Sequence, residues 1–180
     1  MTAPVFVDTN VFVYARDGRE RTKQPRAAQW IERLWRDRCG RTSVQVLTEF
    51  YVTVTRKFRT PVPPDEAWED VASLLAWRPQ PADATLLHRA REIERLHRLN
   101  WWDAMVVAAA QLQDCALLLT EDLHDGAVFG AVTVRSPFTL GVEEARAAYA
   151  PARAASLHRP RGRPRRADLP QKDARPARGG

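Results

Sequence analysis

The sequence stretch PVFVDTN at residues 4–10 decides the fold expected for this chain. The three consecutive apolar residues Val5 to Val7 predict a short buried strand, and Asp8 closes that strand with a carboxylate. A carboxylate beside buried apolar residues is unfavourable unless it is paired or bound to a metal ion. The stretch therefore combines a core strand with a candidate functional residue.

Three further carboxylates stand at the edges of apolar segments. They are Glu49 in VQVLTEFY at 44–51, Asp103 in WWDAMVVAAA at 101–110, and Asp122 after LLLTE at 117–121. Four carboxylates that converge at the edge of a core would repel one another at neutral pH. Mg²⁺ or Mn²⁺ would offset this repulsion, because these hard cations prefer oxygen ligands. The set predicts a metal-dependent enzyme.

Short apolar runs alternate with longer amphipathic runs between residues 1 and 150. The runs predict strands at 5–7, near 40–42, at 115–120 and at 132–134, and helices at 11–15, 24–37, 43–58, 65–77, 83–99, 102–113 and 142–149. Strands separated by helices indicate an α/β domain with a mostly parallel sheet and helices on both faces. Such sheets place their sites at the carboxyl ends of strands, where Asp8 and Asp122 fall. Glu49 and Asp103 would reach the same edge from helices.

The helical spacing of apolar residues also predicts which helix faces are buried. The residues at helical spacing in the helix at 24–37 are Ala27, Ala28, Ile31, Leu34 and Trp35, and those on one face of the helix at 65–77 are Ala67, Val71, Leu74 and Leu75. The residues expected to face inward in the helix at 83–99 are Leu86, Leu87, Ala90, Ile93 and Leu96. Ser43 and Asn100 stand where N-caps are expected.

The basic charge of the chain is concentrated in residues 151–180. The net charge is +6, and this segment holds nine Lys and Arg against two Asp and Glu, whereas residues 1–150 hold 19 basic and 20 acidic residues. The segment also holds five of the thirteen prolines and almost no large apolar residues. We therefore expect one folded domain at 1–150 and a basic, Pro/Arg-rich disordered segment at 151–180. Such a segment suits non-specific nucleic-acid contact, or is an inert extension.

Several classes of protein are disfavoured by what the sequence lacks. No apolar stretch approaches the roughly 20 residues of a membrane span, and the first residues lack the features of a secretory signal. Cys39 and Cys115 form no metal-type pair and are expected to be buried thiols, which favours a cytoplasmic protein. A P-loop is missing, the paired acids of a receiver domain are missing, and Asn10 stands where a haloacid-dehalogenase-type phosphatase has its second Asp. The four histidines (His88, His97, His124 and His158) suggest no catalytic triad.

Each of the four acids also has a purely structural interpretation. Asp8 could cap the helix that follows it, and Asp122 could belong to a turn. Asp103 follows Asn100 by three positions, as the acid of a capping arrangement does. Glu49 could be a solvated helix residue. The order and spacing of the four together favour function.

Four short motifs resemble those of PIN-domain ribonucleases, and most closely those of the VapC toxins of bacterial VapBC toxin–antitoxin systems. They are DTNVFVYA at 8–15, TEF at 48–50, WDA at 102–104 and LTEDL at 119–123, and the resemblance covers roughly residues 3–141. It implies a three-layer α/β/α sandwich with a mostly parallel central sheet. It also implies Mg²⁺ or Mn²⁺ held by Asp8, Glu49, Asp103 and Asp122, with Asn10 and Thr120 in support.

The resemblance implies a metal-dependent endoribonuclease that hydrolyses RNA phosphodiester bonds. It also implies a VapB-like antitoxin partner and a homodimer. Basic residues near the acids, among them Arg16, Arg56 and Lys57, are candidates for RNA contact, because an acidic cluster alone would repel RNA. The apolar surface of residues 24–38 and 43–58, with Trp30, Trp35, Phe50 and Tyr51, is a candidate groove for the antitoxin, or else core or a homodimer face.

Two other functions stay open at this point. One is a PIN-fold nuclease that acts in RNA processing, or on DNA structures, without an antitoxin. The other is a non-catalytic RNA-binding protein that retains the fold. The presence of all four acids favours catalysis over the second alternative, and a neighbouring antitoxin gene would decide against the first.

Overall fold

A computed structural model describes the chain over residues 3–141. The helix expected at 142–149, the domain boundary expected near residue 150 and the basic segment 151–180 lie outside the described residues.

In the part of the chain that the structure describes, five short strands form one sheet, in the order β2-β1-β3-β5-β4. The strands are β1 (Val5–Val7), β2 (Gly40–Arg41), β3 (Leu117–Leu119), β4 (Val128–Phe129) and β5 (Val132–Arg135). Strand β1 pairs in parallel with β2 and β3, and β3 pairs in parallel with β5. Only the β4–β5 pair is antiparallel within the described sheet. The mostly parallel sheet predicted from the sequence is therefore confirmed.

Within residues 3–141, six α-helices connect or flank these strands. They are α1 (Thr9–Arg16), α2 (Lys23–Asp37), α3 (Val44–Val52), α4 (Pro64–Leu74), α5 (Ala84–His97) and α6 (Trp101–Leu112). Together with the sheet they form the expected three-layer α/β/α arrangement. In residues 3–141, none of the helices has the length and apolar character needed to cross a membrane.

Side-chain caps determine where several helices begin. Ser43 Oγ accepts a hydrogen bond from the Val46 amide at 3.2 Å, as the sequence predicts. Asp83 Oδ1 accepts from the Leu86 amide at 2.9 Å. Each cap satisfies an amide that has no partner within its own helix, which typically contributes about 1 kcal/mol.

Helix burial differs from the prediction at several positions. Leu86, Ala90 and Ile93 are buried, but Leu87 is exposed and 76% of Leu96 is accessible. Helix α5 packs mainly against α6, so only a narrow stripe of it is covered. Leu75, Trp35 and Ala28 share a helical spacing with buried residues and are themselves exposed.

The helix expected at 43–58 does not continue as one α-helix. Helix α3 ends at Val52, and Thr53–Lys57 forms a π-helical turn. Thr55 Oγ1 donates to the Tyr51 carbonyl at 2.6 Å, and the prolines at 61, 63 and 64 prevent the helix from continuing. Strand β4 was not predicted, because it is two residues long with Val128 exposed and is defined by its pairing with β5.

Candidate functional site

The four predicted carboxylates line one cavity of about 470 Å³. Asp8 follows β1 and Asp122 lies shortly after β3, so both stand at the carboxyl edge of the sheet. Glu49 reaches the cavity from α3, and Asp103 reaches it from the first turn of α6. The remaining lining residues are Thr9, Gln45, Thr48, Val52, Thr53, Lys57, Trp102 and Val106.

Asp8 is the most deeply placed of the four acids, with 7% of its surface exposed. Its Oδ1 accepts the Thr9 amide at 2.7 Å, which makes it the N-cap of α1. Its Oδ2 accepts the Thr120 hydroxyl at 2.7 Å. Asp8 is therefore a helix cap and a cavity residue at once, and the structural interpretation does not exclude a functional one.

Burial raises the pKa of Asp8 from 3.8 to about 6. The hydrogen bonds from Thr120 and Thr9 act in the opposite direction, and the charges of Asp122 and Glu49 raise the pKa further. The charged form of Asp8 is thus disfavoured in the ligand-free protein, although two donors point at it. A bound cation would reverse that balance.

Asn10 and Thr120 connect Asp8 to Asp122. The Asn10 amide nitrogen lies 2.9 Å from Thr120 Oγ1 and 2.9 Å from Asp122 Oδ2, and 3.4 Å from Asp8 Oδ2. Thr120 Oγ1 also accepts the Asp122 amide at 3.1 Å. These two polar residues, which the sequence marked as supporting, therefore hold two acids from separate loops beside each other.

Glu49 and Asp103 are each held by hydrogen bonds on their own side of the cavity. Glu49 Oε2 accepts the Thr9 hydroxyl at 3.2 Å, and its Oε1 accepts the Gln45 amide at 2.9 Å. Asp103 Oδ2 accepts the Asn100 side-chain amide at 2.7 Å, and the Asp103 amide donates to Asn100 Oδ1 at 2.9 Å.

Burial is also the main reason that the pKa of Asp103 is raised, and Asp122 and Glu49 add to that rise. The hydrogen bond from Asn100 opposes it. The capping arrangement predicted for Asn100 and Asp103 is therefore present, and the same carboxylate still feels the charge of the other acids across the cavity.

The oxygen-rich lining fits a hard divalent cation. Asn10 Oδ1 and Gln45 Oε1 are buried without a hydrogen-bond partner in the described chain. Two amide oxygens beside the acids are therefore unsatisfied, and such oxygens can also serve as metal ligands. Among residues 3–141, no three His, Cys, Asp or Glu side chains are already grouped to hold an ion. Mg²⁺ does not require such a group, since it commonly keeps several waters and binds one or two carboxylates directly.

The three basic residues predicted to contact RNA lie in different places. Lys57, at the end of the π-helical turn, is exposed and lines the acidic cavity. Arg56 is exposed beside it. Arg16 lies at the far end of α1, where its Nε pairs with Asp70 at 2.5 Å in a separate cleft. The structure therefore brings Lys57, but not Arg16, to the four acids.

Residues near the acids that the sequence analysis passed over include Trp102 and Gln45. Trp102 lines the cavity, and Gln45 holds Glu49. Gln45 stands one helical turn before Glu49, and Trp102 directly precedes Asp103, so both were within reach of a spacing argument. Asp125, three positions after Asp122, pairs with Arg135 at 3.1 Å and does not line the cavity.

The two cysteines are free and buried, as predicted. Burial raises the pKa of Cys115 to about 12 and also raises that of Cys39. Neither thiol lines the acidic cavity, and their raised pKa values disfavour the thiolate that nucleophilic catalysis needs.

The protein is an α/β protein with a mostly parallel sheet, and four carboxylates line one cavity at the carboxyl edge of that sheet. Residues 5–124 match the PIN domain model, so the chain belongs to the PIN-domain family, whose members are generally nucleases.

Among solved structures, the chain is similar to one described as a toxin–antitoxin complex from Klebsiella pneumoniae. The match has a TM-score of 0.55 and 18% sequence identity, and it covers 74% of this chain and 97% of that one. At this identity the likeness shows a shared fold. A search of curated proteins found no match.

Proposed function

We propose that this protein is a metal-dependent endoribonuclease that acts as the toxin of a type II toxin–antitoxin system of the VapBC kind. One observation carries the proposal: four carboxylates from four separate segments line one cavity at the carboxyl edge of the sheet. Membership of the PIN-domain family supports nuclease chemistry. The neighbour described as a toxin–antitoxin complex supports the biological role.

In the proposed reaction, Asp8 and Asp103 would hold Mg²⁺ or Mn²⁺, and Glu49 and Asp122 would assist them directly or through water. When bound, the cation lowers the pKa of a water molecule and offsets charge on the transition state of phosphodiester hydrolysis. Asn10 and Thr120 keep Asp8 and Asp122 in place. Gln45 and Thr9 do the same for Glu49.

The basic residues have a separate task in this proposal. RNA approaches a cavity whose acids would repel its phosphates, so nearby positive charge is needed. Lys57 on the cavity wall and Arg56 beside it are placed to provide such charge. Arg16, which pairs with Asp70, would contribute only to a longer RNA path.

The chemistry is tested with purified protein and single-stranded RNA. We expect cleavage with Mg²⁺ or Mn²⁺ and none in EDTA. Asp8→Asn and Asp103→Asn should each lose about 100-fold or more in rate, because the amide keeps the shape but loses the charge that holds the cation. Asp65→Asn, at an exposed carboxylate in the first turn of α4, is the matched control and should cleave normally. Cleavage that persists in chelator would overturn the mechanism, and RNA binding without cleavage would favour the non-catalytic alternative.

The apolar surface predicted along residues 24–38 and 43–58 is partly core and partly accessible. Trp30 is fully buried in the core, so it cannot contact a partner. Phe50 is almost completely buried, but it lines the same cleft as Trp35, which is exposed. A more apolar accessible surface is a groove between α3 and α4 of about 460 Å³. We call it the α3–α4 groove; it is lined by Val44, Leu47, Thr48, Tyr51, Trp68, Val71 and Leu75.

The α3–α4 groove adjoins the acidic cavity, since Thr48 lines both. A segment of the antitoxin that packs its apolar side chains in the groove could therefore continue past Thr48. A basic side chain on that segment would then meet the four acids, satisfy their repulsion and compete with the cation. In this arrangement the α3–α4 groove holds the antitoxin, and the acidic cavity beside it accepts the inhibitory basic side chain.

The biological role is tested by inducing the gene alone and together with its neighbour. We expect growth arrest that the neighbouring gene relieves, and that Asp8→Asn also relieves. Harmless expression of an enzyme that cleaves RNA in vitro would favour a PIN nuclease of RNA processing. A homodimer, also implied by the resemblance, is tested by the mass of the purified protein in solution.

A further inference from the structure

The six tryptophans of this chain differ in how far they are buried. Trp30 and Trp77 are buried, and the Trp30 ring nitrogen donates to the Pro137 carbonyl at 3.0 Å. Trp101 packs against the core, whereas its neighbour Trp102 is 60% exposed. Within residues 3–141, the Trp102 indole stacks on no other ring and its nitrogen donates no hydrogen bond. This large apolar surface is thus left to water at the rim of the acidic cavity.

Lys57 lines the same cavity as Trp102 and is also exposed. In the described chain Lys57 makes no ion pair, whereas the basic residues Lys23 and Arg16 each pair with a carboxylate. Lys23 is 2.7 Å from Glu121, and Arg16 is 2.5 Å from Asp70. Lys57 therefore keeps its charge available for a ligand at the cavity.

We propose that Trp102 and Lys57 form a clamp for one unpaired nucleotide of the RNA substrate. The Trp102 indole stacks on the base, and Lys57 contacts a phosphate. This inference rests on the proposed ribonuclease function and assigns to Trp102, together with Lys57, a part in holding the substrate. A base inside a duplex has both faces covered by its neighbours, so it offers no face to the indole without being unstacked.

The position of Trp102 in the sequence couples this clamp to the reaction. Trp102 directly precedes Asp103 in the first turn of α6, and Asn100 holds Asp103 in place. A nucleotide stacked on the indole would therefore have its phosphate close to the carboxylates. Stacking on an aromatic side chain tolerates any base, since every base has a π-face. Trp102 should select for unpaired RNA rather than for a particular sequence.

The first experiment compares Trp102→Ala, Trp102→Phe and Trp68→Ala. Trp68 is the matched control, because it is 57% exposed on α4 and lines the α3–α4 groove instead of the acidic cavity. With single-stranded RNA, Trp102→Ala should raise KM about 10- to 100-fold and change kcat little. Trp102→Phe should recover most of the loss, and Trp68→Ala should match the parent.

The second experiment removes the base rather than the tryptophan. Oligonucleotides are made abasic at one position at a time around the cleaved bond. At one position, loss of the base should raise the KM of the parent and of Trp68→Ala, and should leave that of Trp102→Ala unchanged. A merely structural role for Trp102 would produce no such dependence on a single base.

Lys57→Gln tests the phosphate contact. The plot of log affinity against log salt concentration should become shallower by about 0.7, the value for one phosphate contact on a single strand. Arg95→Gln is the control, because Arg95 is an exposed residue of α5 that does not line the cavity. An unchanged slope in Lys57→Gln would remove Lys57 from the clamp.

Failure of the clamp can be distinguished from failure of the proposed function. If the parent does not cleave RNA, the proposed function fails, and binding of the same oligonucleotides by fluorescence anisotropy still tests the clamp. If the parent cleaves and Trp102→Ala has the KM of the parent, the clamp is wrong. Equal cleavage of duplex and single-stranded RNA would also overturn it. Loss of antitoxin inhibition in Trp102→Ala, with an unchanged KM, would assign the indole to the protein partner instead.

Discussion

The acidic cavity and the α3–α4 groove have nearly the same volume, about 470 and 460 Å³, and opposite chemistry. The cavity is built from segments far apart in the chain, and it contains carboxylates whose pKa is raised by burial. The groove is built from two helices close together in sequence and is mostly apolar. Helix α3 contributes to both, with Glu49 on one side and Tyr51 on the other.

This difference separates two kinds of surface. A site for chemistry assembles charged groups at an energetic disadvantage, which the hydrogen bonds of Asn10 and Thr120 partly offset. An exposed apolar groove needs no such network, because covering it with a partner's apolar surface removes both from water and is favourable by itself. The two surfaces should therefore respond separately to substitution.

The largest expected effect is that a substitution in the acidic cavity and one in the α3–α4 groove each impair a different activity. Asp103→Asn should lose about 100-fold or more in RNA cleavage and still bind the antitoxin. Trp68→Glu should cleave RNA like the parent and bind the antitoxin at least about 10-fold more weakly, because a charge would be buried in an apolar contact. Cleavage rates and titration calorimetry measure both. A groove variant that loses cleavage while folded would break the comparison.

The second effect concerns the stability of the metal-free protein. Because burial raises the pKa of Asp8 from 3.8 to about 6, its ionised form destabilises the fold. In EDTA, stability at this site should therefore increase as the pH falls from 7 through 6 towards 3.8, by at most about 3 kcal/mol. Asp8→Asn should remove this dependence and melt higher than the parent at pH 7.

Magnesium gives the matching test. Mg²⁺ should raise the melting temperature of the parent, since the unfolded chain lacks the site, and should raise that of Asp8→Asn much less. Asp65→Asn should respond like the parent. An equal response of all three proteins would contradict metal binding at the acidic cavity.

A third effect tests whether the basic segment 151–180 helps the acidic cavity to bind RNA. Replacing Arg161, Arg163, Arg165 and Arg166 with Gln should weaken RNA binding and lower its salt slope by up to about 3, at about 0.7 per phosphate contact. Values of kcat at saturating RNA should stay near those of the parent. An unchanged salt slope would support an inert extension.

The smallest effect is expected at Thr48, the residue shared by both surfaces. Its hydroxyl donates to the Val44 carbonyl within α3 at 2.8 Å, so it is already used by its own helix. Thr48→Ala should leave cleavage within about twofold and stability within about 0.5 kcal/mol. A larger loss in both assays would show that Thr48 couples the two surfaces.

Much of the fold could be predicted because local patterns and tertiary packing agree. The apolar run at 5–7 forms a central strand, and Ser43 and Asn100 cap the helices that they were expected to cap. The π-helical turn and β4 could not be predicted, because the turn depends on local hydrogen bonds and β4 is defined by its antiparallel pairing with β5. Helical spacing also overstated burial in α5, since it shows which side chains share a face and not how much of that face is covered.

By itself, the sequence determined which acids are candidates, because a carboxylate next to an apolar run is unusual whatever the fold. It also determined that Asp8 and Asp122 share an edge, since parallel strands end on the same side. Only the tertiary structure decided that Lys57 joins them while Arg16 pairs with Asp70, and that Trp30 is core while Trp102 is open. The reason is that burial and ion pairing depend on what packs against a residue from other segments, and neighbours along the chain do not specify those contacts.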